Sequence, residues 1–299
     1  MQRVLVIGGS GFIGGRLVAR LGPHATATYL TKPLSGGIVF DIRTMRLADR
    51  LLRGQHGFSH AILAQGNNNI DYCAKHPAET DEVNVVGTAR AISDLIDAGV
   101  VPVFISSDGV FSGNSGFRTE ADSPDPILTY GHQKLAIERY MAGLSSPGLV
   151  ARLSKVVGSC PDPRNIMSEW LDMVEAGRTL LCATDQILSP IDLDDVVDVV
   201  LALMKRGASG LYNVCGSEAL SRFNLLNRLL AHTPSNFRAR ARIETCRLAD
   251  LPLAEPRPLD CSLSNRKLMQ EFAPELRPIE DICARLWKRY SSRPIFANQ

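Results

Sequence analysis

The stretch Gly8-Gly9-Ser10-Gly11-Phe12-Ile13-Gly14 constrains this chain more than any other. It directly follows residues 4–7, a β-branched apolar run that reads as a strand. It opens Phe12–Leu21, whose apolar residues recur at helical spacing. Three glycines between a strand and a helix read as a phosphate cradle. The first permits the tight turn, the second lets backbone approach a pyrophosphate, and the third lets helix and strand pack closely. The phosphates then meet free N–H groups at the positive end of the helix dipole. Gly8, Ser10, Gly11, Phe12, Ile13 and Gly14 are therefore the expected cofactor contacts of the turn.

The alternation that begins there continues. Residues 25–30, 38–40, 61–64 and 101–106 and Leu149–Leu153 predict strands, while 45–52, 79–98 and 129–144 predict helices. Strands alternating with helices imply βαβ units and a parallel sheet. Their unbroken apolar character implies cover on both faces. After Arg152 the rhythm changes. Pro161-Asp162-Pro163 marks a loop, Ile166–Glu175 and 192–204 predict helices, 211–215 predicts a strand, and the tail reads as irregular, with prolines around 251–258. The expected fold is α/β: a Rossmann-type doubly wound parallel sheet over residues 1–153, with a return at 189–215. A smaller, mostly C-terminal substrate-binding domain over 154–299 is interleaved with it.

Composition narrows the partners. With 299 residues, 45% hydrophobic and 21% charged, the chain can bury a sizeable core, which excludes disorder, collagen and coiled coil. Its 33 basic and 31 acidic residues leave a net charge of +2, which offers nothing to nucleic acid or an anionic membrane. No apolar run approaches the roughly 18 residues of a membrane helix. The N-terminal apolar stretch is too short for a signal peptide and breaks into glycines, so the expected location is cytoplasmic. Seven cysteines without a CxxC pair read as reduced, mostly buried thiols. Six histidines (24, 56, 60, 76, 132 and 232) form no HxH pair and a single HxxxH spacing, His56 to His60, and no metal site is expected.

Two further motifs carry chemistry. Tyr130 and Lys134 stand four apart in Tyr130-Gly131-His132-Gln133-Lys134 and share one helix face, from which His132 turns away. A free phenol titrates near pH 10, and a neighbouring ammonium stabilises the phenolate and brings that value toward neutrality. At the end of the 101–106 strand, Ser107 stands where open α/β sheets bind ligands, and its hydroxyl is placed to polarise a substrate carbonyl. The predicted catalytic residues are Ser107, Tyr130 and Lys134.

The GxxGxxG spacing and Tyr-x-x-x-Lys resemble the extended short-chain dehydrogenase/reductases, and the chain is most similar to the dTDP-4-dehydrorhamnose reductase group. Matching segments run almost the whole length: residues 8–14, Val83-Asn84-Val85-Val86-Gly87-Thr88, 106–111, Thr119-Glu120, 130–134, Ser189-Pro190-Ile191-Asp192, Asp194-Asp195-Val196, 210–214 and Arg257-Pro258. That family reduces a 4-keto group on a nucleotide-linked deoxysugar with NAD(P)H. By this resemblance Tyr130 gives a proton to the carbonyl oxygen, Lys134 lowers the tyrosine pKa and holds the nicotinamide ribose, and Ser107 orients the carbonyl. Asp41 and Ile42 flank the adenine, and Ala64, Gln65 and Gly66 lie against pyrophosphate and ribose. Asn84 is structural or supports the lysine. Where NAD enzymes place an acidic residue after the second strand, this chain has Thr31-Lys32, which suits a 2′-phosphate. NADP(H) is thus the preferred cofactor, with NAD(H) the second choice; Arg16 adds charge there, although Arg16 and Lys32 also fit a solvated surface.

The departures from the family cluster on the substrate side. Gly109 replaces a tyrosine, Lys155 replaces a tryptophan, and the loop Gln65-Gly66-Asn67-Asn68-Asn69 is unusually polar. With Ser107, Asp108, Tyr130 and Arg257, Gly109 and Lys155 complete the expected substrate contacts. The expected activity is an NAD(P)H-dependent reductase of a nucleotide-linked keto sugar, with an altered substrate; a homodimer is common for the class. The alternatives are an epimerase or dehydratase that keeps NAD bound, and a non-catalytic subunit resembling the regulatory subunit of methionine adenosyltransferase.

Overall fold

The computed structural model describes residues 3–54, 57–145 and 148–293; His56 lies outside them. The first half runs β1 (Arg3–Ile7), α1 (Phe12–Leu21), β2 (Ala25–Tyr29), β3 (Ile38–Val39), α2 (Leu47–Arg50), β4 (Phe58–Leu63), α3 (Ile70–Lys75), α4 (Pro77–Asp81), α5 (Thr88–Asp97), β5 (Val101–Ser107), α6 (Thr129–Ala142) and β6 (Leu149–Leu153). The second half runs β7 (Val156–Val157), α7 (Ile166–Glu175), β8 (Thr179–Ala183), β9 (Ile187–Leu188), β10 (Ile191–Asp192), α8 (Leu193–Lys205), β11 (Gly210–Val214), β12 (Leu220–Ser221), α9 (Arg222–Ala231), α10 (Ser235–Arg238), β13 (Arg242–Cys246), α11 (Arg266–Glu271) and α12 (Ile279–Ser291).

Seven strands form one parallel sheet in the order β11-β6-β5-β4-β1-β2-β3. Succession reverses between β1 and β4, which opens a crevice at the carboxyl ends of the strands, the usual ligand position in such sheets. The unbroken apolar runs have the expected cause. Val4 and Val6 enter one buried cluster with Leu17, Val196 and Val200, while Leu5 and Ile7 enter another with Ile92, Leu95 and Ile137. Strand β1 thus buries both faces under helices, while the edge strand β3 leaves Val39 exposed. Residues from the second half build a separate core, in which Trp170, Leu171, Leu225, Leu229, Ile282 and Leu286 pack together.

The structure departs from expectation in three places. The helix expected over 79–98 begins as α4, widens into a π-helical turn at Glu82–Gly87 and resumes as α5. That wide turn carries the inward-facing Asn84, and such turns are frequent at functional sites. Helix α3 emerges from the polar stretch after β4, because the Asn69 side chain caps it by accepting from the Tyr72 amide at 3.0 Å. The tail is not irregular: α12 buries Ile279, Ile282, Cys283, Leu286 and Tyr290, one apolar stripe at helical spacing. Among the described residues no helix is long and apolar enough to cross a membrane, and no group of three His, Cys, Asp or Glu side chains could hold a metal ion. Cys73, Cys182, Cys215 and Cys283 are buried, Cys160 is exposed, and none forms a disulfide.

Candidate active site

The glycine turn is built by close backbone approach. Gly8 has φ +87°, and its amide donates to the Thr28 hydroxyl at 3.2 Å. The Gly11 amide donates to the Gly8 carbonyl at 3.0 Å. A Cβ on Gly14 would lie 2.1 Å from that same carbonyl oxygen, and one on Gly8 would lie 2.7 Å from the Gln65 amide. No side chain caps α1, so the first amides of Phe12, Ile13 and their neighbours stay available to an anion. Across the crevice, Gln65 donates through Nε2 to Thr88 at 3.1 Å, while its buried Oε1 has no partner. A bare helix N-terminus, a cradle that any Cβ would fill and an orphaned buried acceptor together fit a dinucleotide.

The loop after β4 is pinned from beneath. Asn84 accepts from the Asn67 amide at 2.8 Å, donates to the Asn67 carbonyl at 2.9 Å and reaches Gln133 on α6 at 2.7 Å. Asn84 therefore steadies the loop that follows Ala64-Gln65-Gly66. Gln133 went unnoticed in the sequence because a glutamine between the two catalytic candidates carries no chemistry of its own. Thr31 and Lys32 are exposed after β2. Arg16 is ion-paired with Asp194 on α8, which withdraws it from the cofactor charge expected of it. The hydrogen-bonded Arg43 lowers the pKa of Asp41, and Ile42 beside it is buried. Arg164, absent from the sequence reading, reaches back to donate to the Ser10 carbonyl at 3.2 Å and lies over Phe12.

Ser107, Tyr130 and Lys134 come together at the carboxyl end of β5. Helix α6 can start there only because residue 131 is glycine; a Cβ would stand 2.0 Å from the Gly109 carbonyl oxygen. Glu255 steadies the same end by accepting from the Thr129 amide and hydroxyl at 3.1 and 3.0 Å. The Ser107 hydroxyl accepts from the Gly109 amide at 3.1 Å and donates to Asp108 at 3.0 Å. Lys134 is 6% exposed, and its ammonium donates to the Ile105 carbonyl at 2.8 Å, 5.5 Å from the Tyr130 ring centre.

The electrostatics differ from the sequence expectation. Burial pushes Tyr130 above the ordinary phenol range, with the Asp108 and Cys73 charges adding to it and a Ser107 hydrogen bond opposing it. Lys134 is itself brought down to about 8 by burial. Desolvation outweighs the ammonium here, so the phenol keeps its proton at neutral pH. Burial likewise lifts Asp108 to about 6, against the pull of Ser107, Ser154 and Lys155. His132 is exposed, as the helix geometry requires. Arg257 is tied to Asp71 at 2.6 Å rather than standing free, although its buried Nη1 has no hydrogen-bond partner.

Residues 1–292 match the RmlD substrate binding domain family. The chain is 30% identical over 214 residues to a probable low-salt glycan biosynthesis reductase, Agl14, of Haloferax volcanii, covering 66% of this chain and 67% of that one. It is 22% identical over 290 residues to dTDP-4-dehydrorhamnose reductase of Aggregatibacter actinomycetemcomitans, covering 91% and 94% of the two chains. A Bacillus anthracis dTDP-4-dehydrorhamnose reductase, solved in complex with NADP, superposes with a TM-score of 0.83 at 20% identity, covering 96% of this chain and 99% of that one.

Proposed function

This chain belongs to the RmlD substrate binding domain family, and from that premise we propose that it reduces a keto group on a nucleotide-linked sugar, using NADP(H) in preference to NAD(H). The observation that carries the reading is the meeting of Ser107, Tyr130 and Lys134 beside the glycine turn. A nicotinamide held in this crevice would supply hydride to the carbonyl carbon. Ser107 donates a hydrogen bond to the carbonyl oxygen and polarises it toward an alkoxide. Tyr130 then gives that oxygen its proton, a task suited to a phenol that burial keeps protonated. The Lys134 ammonium, held to the Ile105 carbonyl, offsets the negative charge left on the phenolate. Gly8, Ser10, Gly11, Phe12, Ile13 and Gly14 would cradle the pyrophosphate, and the unpartnered Gln65 oxygen would accept from a ribose hydroxyl. Thr31 and Lys32 would hold the 2′-phosphate.

Absorbance at 340 nm across a panel of keto-sugar nucleotides tests the reading. Wild type consumes NADPH with at least one of them. Tyr130→Phe lowers kcat by about 100-fold or more while cofactor affinity stays within a few-fold. A panel without turnover, or a phenylalanine variant as active as wild type, rejects it.

A further inference from the structure

Gln133 stands on α6 three residues after Tyr130 and one before Lys134, turned off their shared face toward α4 and the π-helical turn that carries Asn84. It is 4% exposed, and both ends of its carboxamide are engaged. Its Oε1 accepts from Asn84 Nδ2 at 2.7 Å, and its Nε2 donates to the buried Thr80 hydroxyl on α4 at 2.8 Å. That hydroxyl donates onward to the His76 carbonyl at 3.0 Å. On its other side Asn84 accepts from the Asn67 amide and donates to the Asn67 carbonyl, with the Cys73 sulfur a looser neighbour at 3.9 Å.

The polarity of this chain of bonds is fixed. A backbone N–H can only donate, so Asn84 turns its oxygen to the Asn67 amide and its nitrogen to the Asn67 carbonyl and to Gln133. Gln133 must answer with an acceptor there and a donor at Thr80, whose own hydrogen goes to His76. A carboxamide supplies both, whereas a carboxylate only accepts and an ammonium only donates. A buried network in which every member is satisfied holds one arrangement. The loop it grips is the one expected against the cofactor. Gly66 has φ +138°, and a Cβ there would lie 2.9 Å from Asn84 Oδ1, so the loop wraps closely over Asn84. Gln65 is held by Thr88, just beyond the same π-helical turn.

We propose that Gln133 is a positioning residue: it locks the helix of Tyr130 and Lys134 to the loop after β4, so that proton donor and cofactor keep one register. The link rests on the hydrogen bonds above; its use in turnover rests on the reductase reading. Hydride and proton must reach the carbon and the oxygen of one carbonyl, and the groups that deliver them are held by different segments of the chain. A misplacement of about 1 Å between such groups costs on the order of 100-fold in rate.

Hydrogen exchange of the full chain, followed by mass spectrometry, reads the link without turnover, and kcat and KM read its use. Gln133→Met keeps the volume and severs the link. Exchange over residues 64–69 quickens about tenfold, the size of one buried hydrogen bond. In the same variant kcat falls at least about tenfold while the KM values for NADPH and sugar nucleotide stay within about threefold, since Gln133 lies off the face that meets substrate. Thr80→Val removes the other partner of Gln133 and leaves the Asn84 bond. It loses comparable stability in urea, yet its exchange over 64–69 and its kcat stay within about twofold of wild type. Unchanged exchange in Gln133→Met overturns the link. Faster exchange with kcat intact overturns the positioning role, and so do losses of kcat in both variants that track their losses of stability. Faster exchange in Gln133→Met, with a wild type that reduces no keto sugar nucleotide, upholds the link and rejects the reductase. Turnover with unchanged exchange does the reverse.

Discussion

Glu138 on α6 and Arg152 on β6 form a buried ion pair one helical turn from Lys134. Arg152 donates from Nε to Oε1 at 2.9 Å and from Nη2 to Oε2 at 2.6 Å, and Ser106 donates to Oε1 at 2.5 Å. The two residues are 7% and 2% exposed, and Arg152 Nη1 already lacks a partner. Glu138→Gln preserves volume and removes the charge, leaving a buried guanidinium without its counter-ion. Breaking one side of such a pair costs about 3–5 kcal/mol. At about 3 kcal/mol the ratio of folded to unfolded chain falls on the order of 100-fold. Urea unfolding followed by circular dichroism measures it. Arg152→Met strands the carboxylate instead and is similarly destabilised. The double variant buries neither charge and recovers at least about 2 kcal/mol relative to the sum of the single losses. The site reports the same change, because the Glu138 charge helps keep Lys134 protonated. In Glu138→Gln the alkaline inflection of kcat/KM, expected near the Lys134 value of about 8, moves to lower pH. A loss below about 1 kcal/mol in Glu138→Gln, or strict additivity in the double variant, refutes the reasoning.

Gly14→Ala drives a Cβ to 2.1 Å from the Gly8 carbonyl, so it weakens NADPH binding by on the order of 100-fold and destabilises the fold by about 1–3 kcal/mol; fluorescence titration showing near-normal affinity would contradict the cradle. Lys32→Ala raises the KM for NADPH about tenfold and leaves NADH nearly unchanged, the loss of one charge-assisted phosphate contact; equal effects on both cofactors remove Lys32 from the 2′-phosphate. Asp108 is lifted from 3.8 to about 6, so the folded chain binds the extra proton between those values, and this group's contribution to stability declines as pH rises from about 4 to about 6. Urea midpoints of Asp108→Asn, subtracted from those of wild type, isolate that slope from carboxylates such as Asp41, whose lowered pKa acts oppositely. Parallel curves for the two proteins would show that Asp108 does not titrate in this range.

Local pattern was legible where neighbours along the chain decide the outcome. Helices α1 and α7 and strand β6 stand where periodicity places them, because burial on one stripe or on both faces writes itself into residue spacing. The two-residue strands β7, β9, β10 and β12 leave no such trace. Helix α12 did carry one, in the stripe from Ile279 to Tyr290, but the prolines before it masked the rhythm. Among the site residues, the glycine turn and the Tyr130 and Lys134 pair announce themselves by type and spacing. Asn84, Gln133, Glu255 and Arg164 act by bridging segments far apart in the chain.

The sequence by itself determined that a parallel sheet would carry a glycine cradle and a tyrosine, lysine and serine near its carboxyl ends, since turns, caps and apolar periods are properties of adjacent residues. Only the tertiary structure decided which charges were free. Arg16 is neutralised by Asp194, 178 residues away, and Arg257 by Asp71, 186 residues away. It also decided the direction in which Tyr130 titrates. Spacing brings an ammonium near the phenol, but desolvation depends on everything packed around it, and here desolvation is the larger effect.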